Sequence, residues 1–155
     1  MFSKTEILNL AISIEEAGIE FYKEAESMVN QNLKELFKFL QEEELAHKNI
    51  FEKMLQGLQD FSITYKDLPD DYNEYVKAIG QGAVFKKIEL HEKIKGLSSQ
   101  EKIVSFALEM ERKSIEYYNF LKEITPQKNH PLLDQIIAEE EKHITQLENM
   151  KKNLR

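Results

Sequence analysis

The chain has 155 residues, 41% of them apolar, with three prolines and five glycines, so one helix-rich domain with a core of its own is expected. A formal charge of −7 without a dense basic stripe excludes a nucleic-acid surface, which needs a positive field, and the lack of cysteine excludes disulfides, Cys-ligated zinc and iron–sulfur clusters. Neither the start, Met1-Phe2-Ser3-Lys4, nor any apolar run reads as a secretion signal or a membrane span, so a soluble protein of the cytoplasm is expected.

Ser3-x-x-Glu6 is a capping box, and Ile7, Leu8, Ala11, Ile12, Ile14, Gly18, Ile19 and Tyr22 follow at helical spacing, which predicts a first helix from about Lys4 to Met28. Asn30-Gln31-Asn32 reads as a short turn. Beyond it Leu33, Leu36, Phe37, Leu40, Phe51, Met54 and Leu55 form the apolar stripe of a second helix ending near Gly57, and so short a connection makes the two helices antiparallel neighbours. From about residue 58 to 98 the pattern breaks up. There Pro69 with Asp70-Asp71 opens a short helix through Ile79, Gly80 and Gly82 mark a bend, and Phe85 to Lys95 forms another short helical piece. Such a connection is too long for a turn and suits a crossover along a bundle. Ser98-x-x-Glu101 reads as a second capping box, opening a third helix through about Ile124 with Ile103, Val104, Ala107, Leu108, Ile115 and Tyr118 inward. Thr125 to His130 is the next turn, Pro131 suits a first helical position, and a fourth helix from Leu132 to about Asn153 buries Leu133, Ile136, Ile137, Leu147 and Met150. The predicted fold class is all-α: a single domain forming a four-helix bundle of two hairpins, about 4–57 and 99–153, joined by one long crossover.

The second hairpin repeats the first. At one fixed offset Ile7, Ala11, Glu15, Tyr22, Glu43, Glu44, His47 and Met54 meet Ile103, Ala107, Glu111, Tyr118, Glu139, Glu140, His143 and Met150, the mark of an internal duplication. Glu44-Leu45-Ala46-His47 and Glu140-Glu141-Lys142-His143 each set a carboxylate and an imidazole about 60° apart on a helix, on one face. Glu15 shares the inward stripe of Ala11, Ile19 and Tyr22, and Glu111 that of Ala107, Ile115 and Tyr118. Glu15 and His47 are equidistant from Gln31, and Glu111 and His143 from Gln127, so all six groups are expected at one level of the bundle. Bare carboxylates gathered in a core cost several kcal/mol each and repel one another. No lysine or arginine shares this face, whose other members are Gly18, Ser114, Ile19 and Ile115. Two divalent cations are therefore the expected counter-charge, and Glu15, Glu44, His47, Glu111, Glu140 and His143 are the candidate metal ligands, a donor set suited to iron or manganese and open to zinc. Glu20, Glu43 and Glu52, with their duplicates Glu116, Glu139 and Glu148, fall about 80–140° off this stripe and are expected on solvated faces. His91 and His130 are expected at the surface.

One glutamate on each odd helix and Glu-x-x-His on each even helix is a di-iron carboxylate pattern. Ala11-Ile12-Ser13-Ile14-Glu15-Glu16-Ala17-Gly18-Ile19-Glu20-Phe21-Tyr22 and Glu42-Glu43-Glu44-Leu45-Ala46-His47 resemble the rubrerythrin branch of the ferritin-like proteins, and the resemblance covers all four helices. It implies a ferritin-like bundle with two iron ions, bridged by Glu44 and Glu140, bound terminally by Glu15 and Glu111, and capped by His47 and His143. Tyr22 and Tyr118 match tyrosines that hydrogen-bond the ligands. The activity implied is that of an oxidoreductase reacting with hydrogen peroxide or dioxygen, first a peroxidase of oxidative stress fed by an external electron donor such as a rubredoxin-like protein. A ferroxidase and a non-catalytic metal-binding bundle are the alternatives. Two features depart from the pattern. No cysteine-rich rubredoxin segment occurs, and Ser114 stands where such rubrerythrins carry a further glutamate one turn after the position of Glu111. Phe37, Phe39, Phe51 and Phe61 exceed what one bundle is expected to bury, which leads to a homodimer as the expected assembly.

Overall fold

A computed structural model describes residues 3–57 and 87–154, with Glu74, Lys77 and Ala78 between them. Helix α1 (Lys4–Ala25) opens on the expected capping box: Ser3 Oγ accepts from the Glu6 N–H at 3.1 Å, and Glu6 Oε1 accepts from the Ser3 N–H at 3.3 Å. It stops at Ala25, and the expected last turn to Met28 tightens into a 3-10 segment, Glu26–Met28, a common way to use up the free carbonyls of a helix end. Asn30 Oδ1 then accepts from the Leu33 N–H at 3.0 Å, so α2 (Gln31–Gln56) begins inside the residues read as a turn.

Of the crossover, α3 (Lys87–Lys95) matches the last expected piece from Lys87 onward; the expected start of that piece at Phe85, the helix opening at Pro69 and the bend at Gly80 and Gly82 lie outside the described residues. Helix α4 (Gln100–Glu123) is capped by Ser99 and not by Ser98. Ser99 Oγ accepts from the Lys102 N–H at 3.2 Å, while Ser98 Oγ receives the Lys102 ammonium at 3.0 Å. Adjacent serines can each cap, and the choice of Ser99 puts Glu101 too early to close a capping box. A 3-10 segment, Gln127–Asn129, leads into α5 (His130–Asn153) with Pro131 in its first turn.

Helix α1 packs along α2 and α4 along α5, while α3 lies against α1. The apolar core is divided. One cluster holds Ile7, Leu8 and Ala11 of α1, Phe51 of α2, Tyr117 and Leu121 of α4 and Leu133 and Ile136 of α5. The other holds Phe21 and Tyr22 of α1, Leu33, Phe37 and Leu40 of α2, Ile103, Val104 and Leu108 of α4 and Leu147 of α5, with Leu90 and Ile94 of α3 covering it. On every long helix the residues between the two clusters are the buried polar ones: Glu15, Glu44 with His47, Glu111 with Ser114, and Glu140 with His143. The predicted common level is thus a polar layer between two apolar halves.

Among the described residues there is no strand, and no helix is long and apolar enough to cross a membrane. Phe61 lies outside the described residues; of the other three phenylalanines read as a surplus, Phe37 and Phe51 are fully buried within this one chain and Phe39, 44% exposed, faces out. His91 is exposed as expected, though its Nδ1 pairs with Glu24 and ties α3 to α1. His130 is half-buried, with Nε2 at 2.9 Å from the Thr125 carbonyl.

Candidate metal centre

The helical register carries each donor inward. Glu15 and Glu140 are fully shielded from solvent, and so is His47; Glu44, Glu111 and His143 are at most 3% exposed. All six expected ligands therefore come together, and they do so in two overlapping groups. Glu15, Glu44, His47 and Glu140 offer one ligand atom each, all within 4.8 Å of one another, and Glu44, Glu111, Glu140 and His143 do the same. Glu44 and Glu140 belong to both groups.

Both imidazoles turn Nδ1 to the carboxylates. His47 Nδ1 lies 2.8 Å from Glu140 Oε1 and 3.6 Å from Glu15 Oε1. His143 Nδ1 lies 3.2 Å from Glu44 Oε1, 3.4 Å from Glu111 Oε1 and 3.5 Å from Glu140 Oε2. The rings are nearly parallel, with centroids 6.1 Å apart. The two tyrosines act across the hairpins: Tyr22 of α1 donates to Glu111 of α4 at 2.6 Å, and Tyr118 of α4 donates to Glu15 of α1. Each phenol thus fixes the carboxylate of the opposite repeat.

Burial, and then the charge of a neighbouring carboxylate, pushes Glu15, Glu44 and Glu140 well above the usual carboxylate range. Glu111 is also raised by burial, but the close approach of Glu140 and His143 and the hydrogen bond from Tyr22 outweigh this and hold it below that range. Burial alone would lower His47, yet its bonds and attraction to Glu140, Glu44 and Glu139 bring it up to about 9. His143 is raised in the same way by Glu111, Glu140 and Glu44. Left to themselves, then, the side chains neutralise one another with protons.

That arrangement leaves donors unused. Glu15 Oε2, Glu44 Oε1, Glu111 Oε2, Glu140 Oε2 and both nitrogens of His143 are buried with no hydrogen-bond partner. Buried polar atoms are nearly always paired, and so many orphans at one level, each aimed among the others, fit a set of cations. A cavity of about 10 Å³, the size of one water, adjoins Glu44 and Glu111 between α1 and α4. Ile14 and Gly18 line it from one repeat, and their duplicates Met110 and Ser114 from the other, with Tyr22 at its side. A Cβ on Gly18 would sit 3.4 Å from Glu44 Oε2, so the glycine lets α1 approach this carboxylate.

One residue of the centre departs from its expected place. Glu139, read as part of a solvated face, puts Oε2 at 2.5 Å from His47 Nε2 and is only 26% exposed. Burial raises its carboxyl, but hydrogen bonds from His47 and Gln135 more than compensate and hold it below the usual range. A helical wheel ranks a residue by its angle to its own stripe, and Glu139 reaches instead across to α2. Glu148 is exposed and Glu52 partly so, in ion pairs with Arg112 and Lys48, as expected for solvated faces.

A helical bundle whose duplicated hairpins bury four carboxylates and two imidazoles at one level defines a carboxylate–histidine protein with two candidate metal positions. The Rubrerythrin family model matches residues 6–151, and the chain belongs to that family. It is also similar in structure to a protein of Thermotoga maritima described as a candidate ferritin-like diiron-carboxylate protein, with 25% identity and a TM-score of 0.68 over 97% of this chain and 95% of that one. None of the curated proteins matches the chain.

Proposed function

We propose that the buried cluster is a di-iron centre and that the protein is a cytoplasmic peroxidase of the rubrerythrin kind, reducing hydrogen peroxide to water with electrons from a separate donor protein. The observation that carries this reading is the sharing of Glu44 and Glu140 between two buried four-donor groups. Glu15 with His47 would complete one position, and Glu111 with His143 the other. When bound, two ferrous ions supply the two electrons that break the peroxide O–O bond, and two protons complete two waters.

The remaining features are those of this chain. Tyr22 and Tyr118 hold Glu111 and Glu15 by one oxygen each, which leaves Oε2 of both carboxylates free to bind. The cavity beside Gly18 and Ser114 has room for one molecule of the size of water. A bulky reductant cannot touch donors this deeply buried, so reduction through the bundle by a separate protein, such as a rubredoxin-like one, fits better than direct contact. A second reading, oxidation of ferrous iron at the same centre, is favoured by Ser114: its hydroxyl donates to the Met110 carbonyl at 3.0 Å, and no further carboxylate is offered there.

Apoprotein loaded anaerobically with two ferrous ions per chain and mixed with peroxide or with dioxygen decides between these. A rise in near-ultraviolet ferric absorbance that is faster with peroxide, and reversed by an added reductant, is the expected result. Faster reaction with dioxygen and release of ferric iron would favour the ferroxidase, and no absorbance change with either would defeat both.

A further inference from the structure

The duplication gives each repeat the same ligands, but not the same support behind its imidazole. On the His47 side the ring is held at both nitrogens. Nε2 lies 2.5 Å from Glu139 Oε2, and Glu139 is itself fixed by Gln135, whose amide donates to Oε1 at 3.2 Å. With that outer bond made, Nδ1 is the nitrogen turned toward Glu140 and Glu15, where its lone pair would be offered to a cation once its proton has left. On the His143 side Nε2 is buried and has no partner. The duplicate of Glu139 is Glu43, but the duplicate of Gln135 is Phe39, and a phenyl ring cannot donate a hydrogen bond to orient a carboxylate.

We propose that Glu139 is a positioning residue that makes the two metal positions unequal, so that the position built from Glu15, Glu44, His47 and Glu140 takes up the first divalent cation and the His143 position the second. This rests on the reading of the cluster as a two-metal centre. An imidazole locked in the right tautomer and orientation binds without first being ordered, and outer carboxylates of this kind change metal affinity by about 10–100-fold.

Repulsion between two close cations separates two binding steps in any such pair, so separation alone decides nothing. The decisive measurement is which step each substitution moves. Apoprotein is titrated with cobalt(II), followed by calorimetry and by the visible absorbance of the bound ion. In the wild type two ions per chain bind, and the first should carry the spectrum of a His-ligated site. His143→Ala should keep the tight first step, and His47→Ala should lose it. Glu139→Gln should weaken the first step by about 10-fold or more, toward the affinity seen in His47→Ala, with unchanged helicity and an altered spectrum for the first ion. Glu43→Gln, the same change in the other repeat, should leave both steps where they were. A Glu139→Gln titration that overlays the wild type, or a His143→Ala variant that loses the tight step, would overturn the loading order while leaving the two-metal reading intact. Uptake of fewer than two ions by the wild type would overturn that reading, and the loading order with it.

Discussion

The two repeats of this bundle bring identical donors to the layer and different surroundings to hold them. Around His47, Glu139 and Gln135 extend the network outward to the surface; around His143 the outer nitrogen has no partner. The α1 wall of the small cavity carries Gly18 and the α4 wall Ser114. Duplication has thus kept the groups that would face a cation and let the groups behind them diverge. Ligand geometry tolerates few replacements, because each donor removed leaves other buried charges uncompensated, whereas the outer positions adjust affinity and access without ending either.

The largest expected effect separates the shared carboxylates from the unshared ones. Glu44→Ala or Glu140→Ala removes a donor common to both groups and should reduce bound metal from two ions per chain to less than one, measured by elemental analysis after gel filtration. Glu15→Ala or Glu111→Ala should leave one ion. The apoprotein of Glu44→Ala should unfold no earlier than wild-type apoprotein, since a buried carboxyl held far above its usual range is itself unfavourable. Equal stoichiometry in all four variants would dissolve the distinction between bridging and terminal positions.

Removal of metal should expose the opposition between the polar layer and its apolar flanks. With free metal at about 100 times Kd, each bound ion adds about 2.7 kcal/mol, so chelation of two ions should lower Tm by roughly 10–20 °C in a chain of this length. The pH dependence has a definite sign. Glu15, Glu44, Glu140 and both histidines are raised in the folded chain, and a raised group stabilises most below its unfolded value and loses that contribution as pH climbs through the folded one. For His47 the loss runs from the ordinary imidazole value of 6.5 to about 9. Apoprotein should therefore melt lower at pH 9.5 than at pH 6. Metal displaces these protons, so the gap between loaded and metal-free protein should widen over the same interval. A gap that narrows with pH would mean that the raised groups are not the ones displaced.

The crossed tyrosines offer a finer comparison. Each donates to a buried carboxylate, a bond whose loss costs about 1.5–3 kcal/mol. Tyr22 borders the water-sized cavity and Tyr118 does not. In Tyr22→Phe a water can take over the lost donor, so Tyr118→Phe should lower Tm more. The reverse order would show that the cavity does not reach the Tyr22 hydroxyl.

Much of this was legible in the sequence for identifiable reasons. Periodicity alone placed four long helices, because their apolar stripes keep one phase on both sides of the polar layer, and the equal distances of Glu15 and His47 from Gln31, and of Glu111 and His143 from Gln127, gave the common layer. The crossing of Tyr22 to Glu111 and Tyr118 to Glu15 was not legible, since register within one hairpin is silent on how two hairpins face each other. Glu139 was missed for the same reason. Its one local signal was Gln135, four residues earlier on the same helix face, a spacing that suits a side-chain hydrogen bond. The cap at Ser99 failed differently: two serines in a row satisfy the same local rule, and the helix uses the second.

The smallest expected effects lie at the cavity wall, where Gly18 of one repeat answers to Ser114 of the other. Ser114 Oγ bonds back to Met110 within its own helix, so Ser114→Ala should change stability by less than about 0.5 kcal/mol. Gly18→Ala is a contest. Alanine gains about 1 kcal/mol over glycine inside a helix, while the new methyl would press on Glu44, with Oε2 at 3.4 Å and two side-chain carbons at 3.5 Å. Those distances are tight but short of a clash, and a glutamate side chain can give by a few tenths of an ångström, so apoprotein of Gly18→Ala should melt at or slightly above the wild-type temperature. The methyl also narrows the cavity beside Glu44, and reaction of the ferrous protein with peroxide should slow while the first cobalt(II) step stays unchanged. A lower apoprotein Tm would mean that Glu44 cannot yield and that the glycine serves packing at the layer. Unchanged stability with an unchanged peroxide rate would mean that small molecules reach the layer by another path.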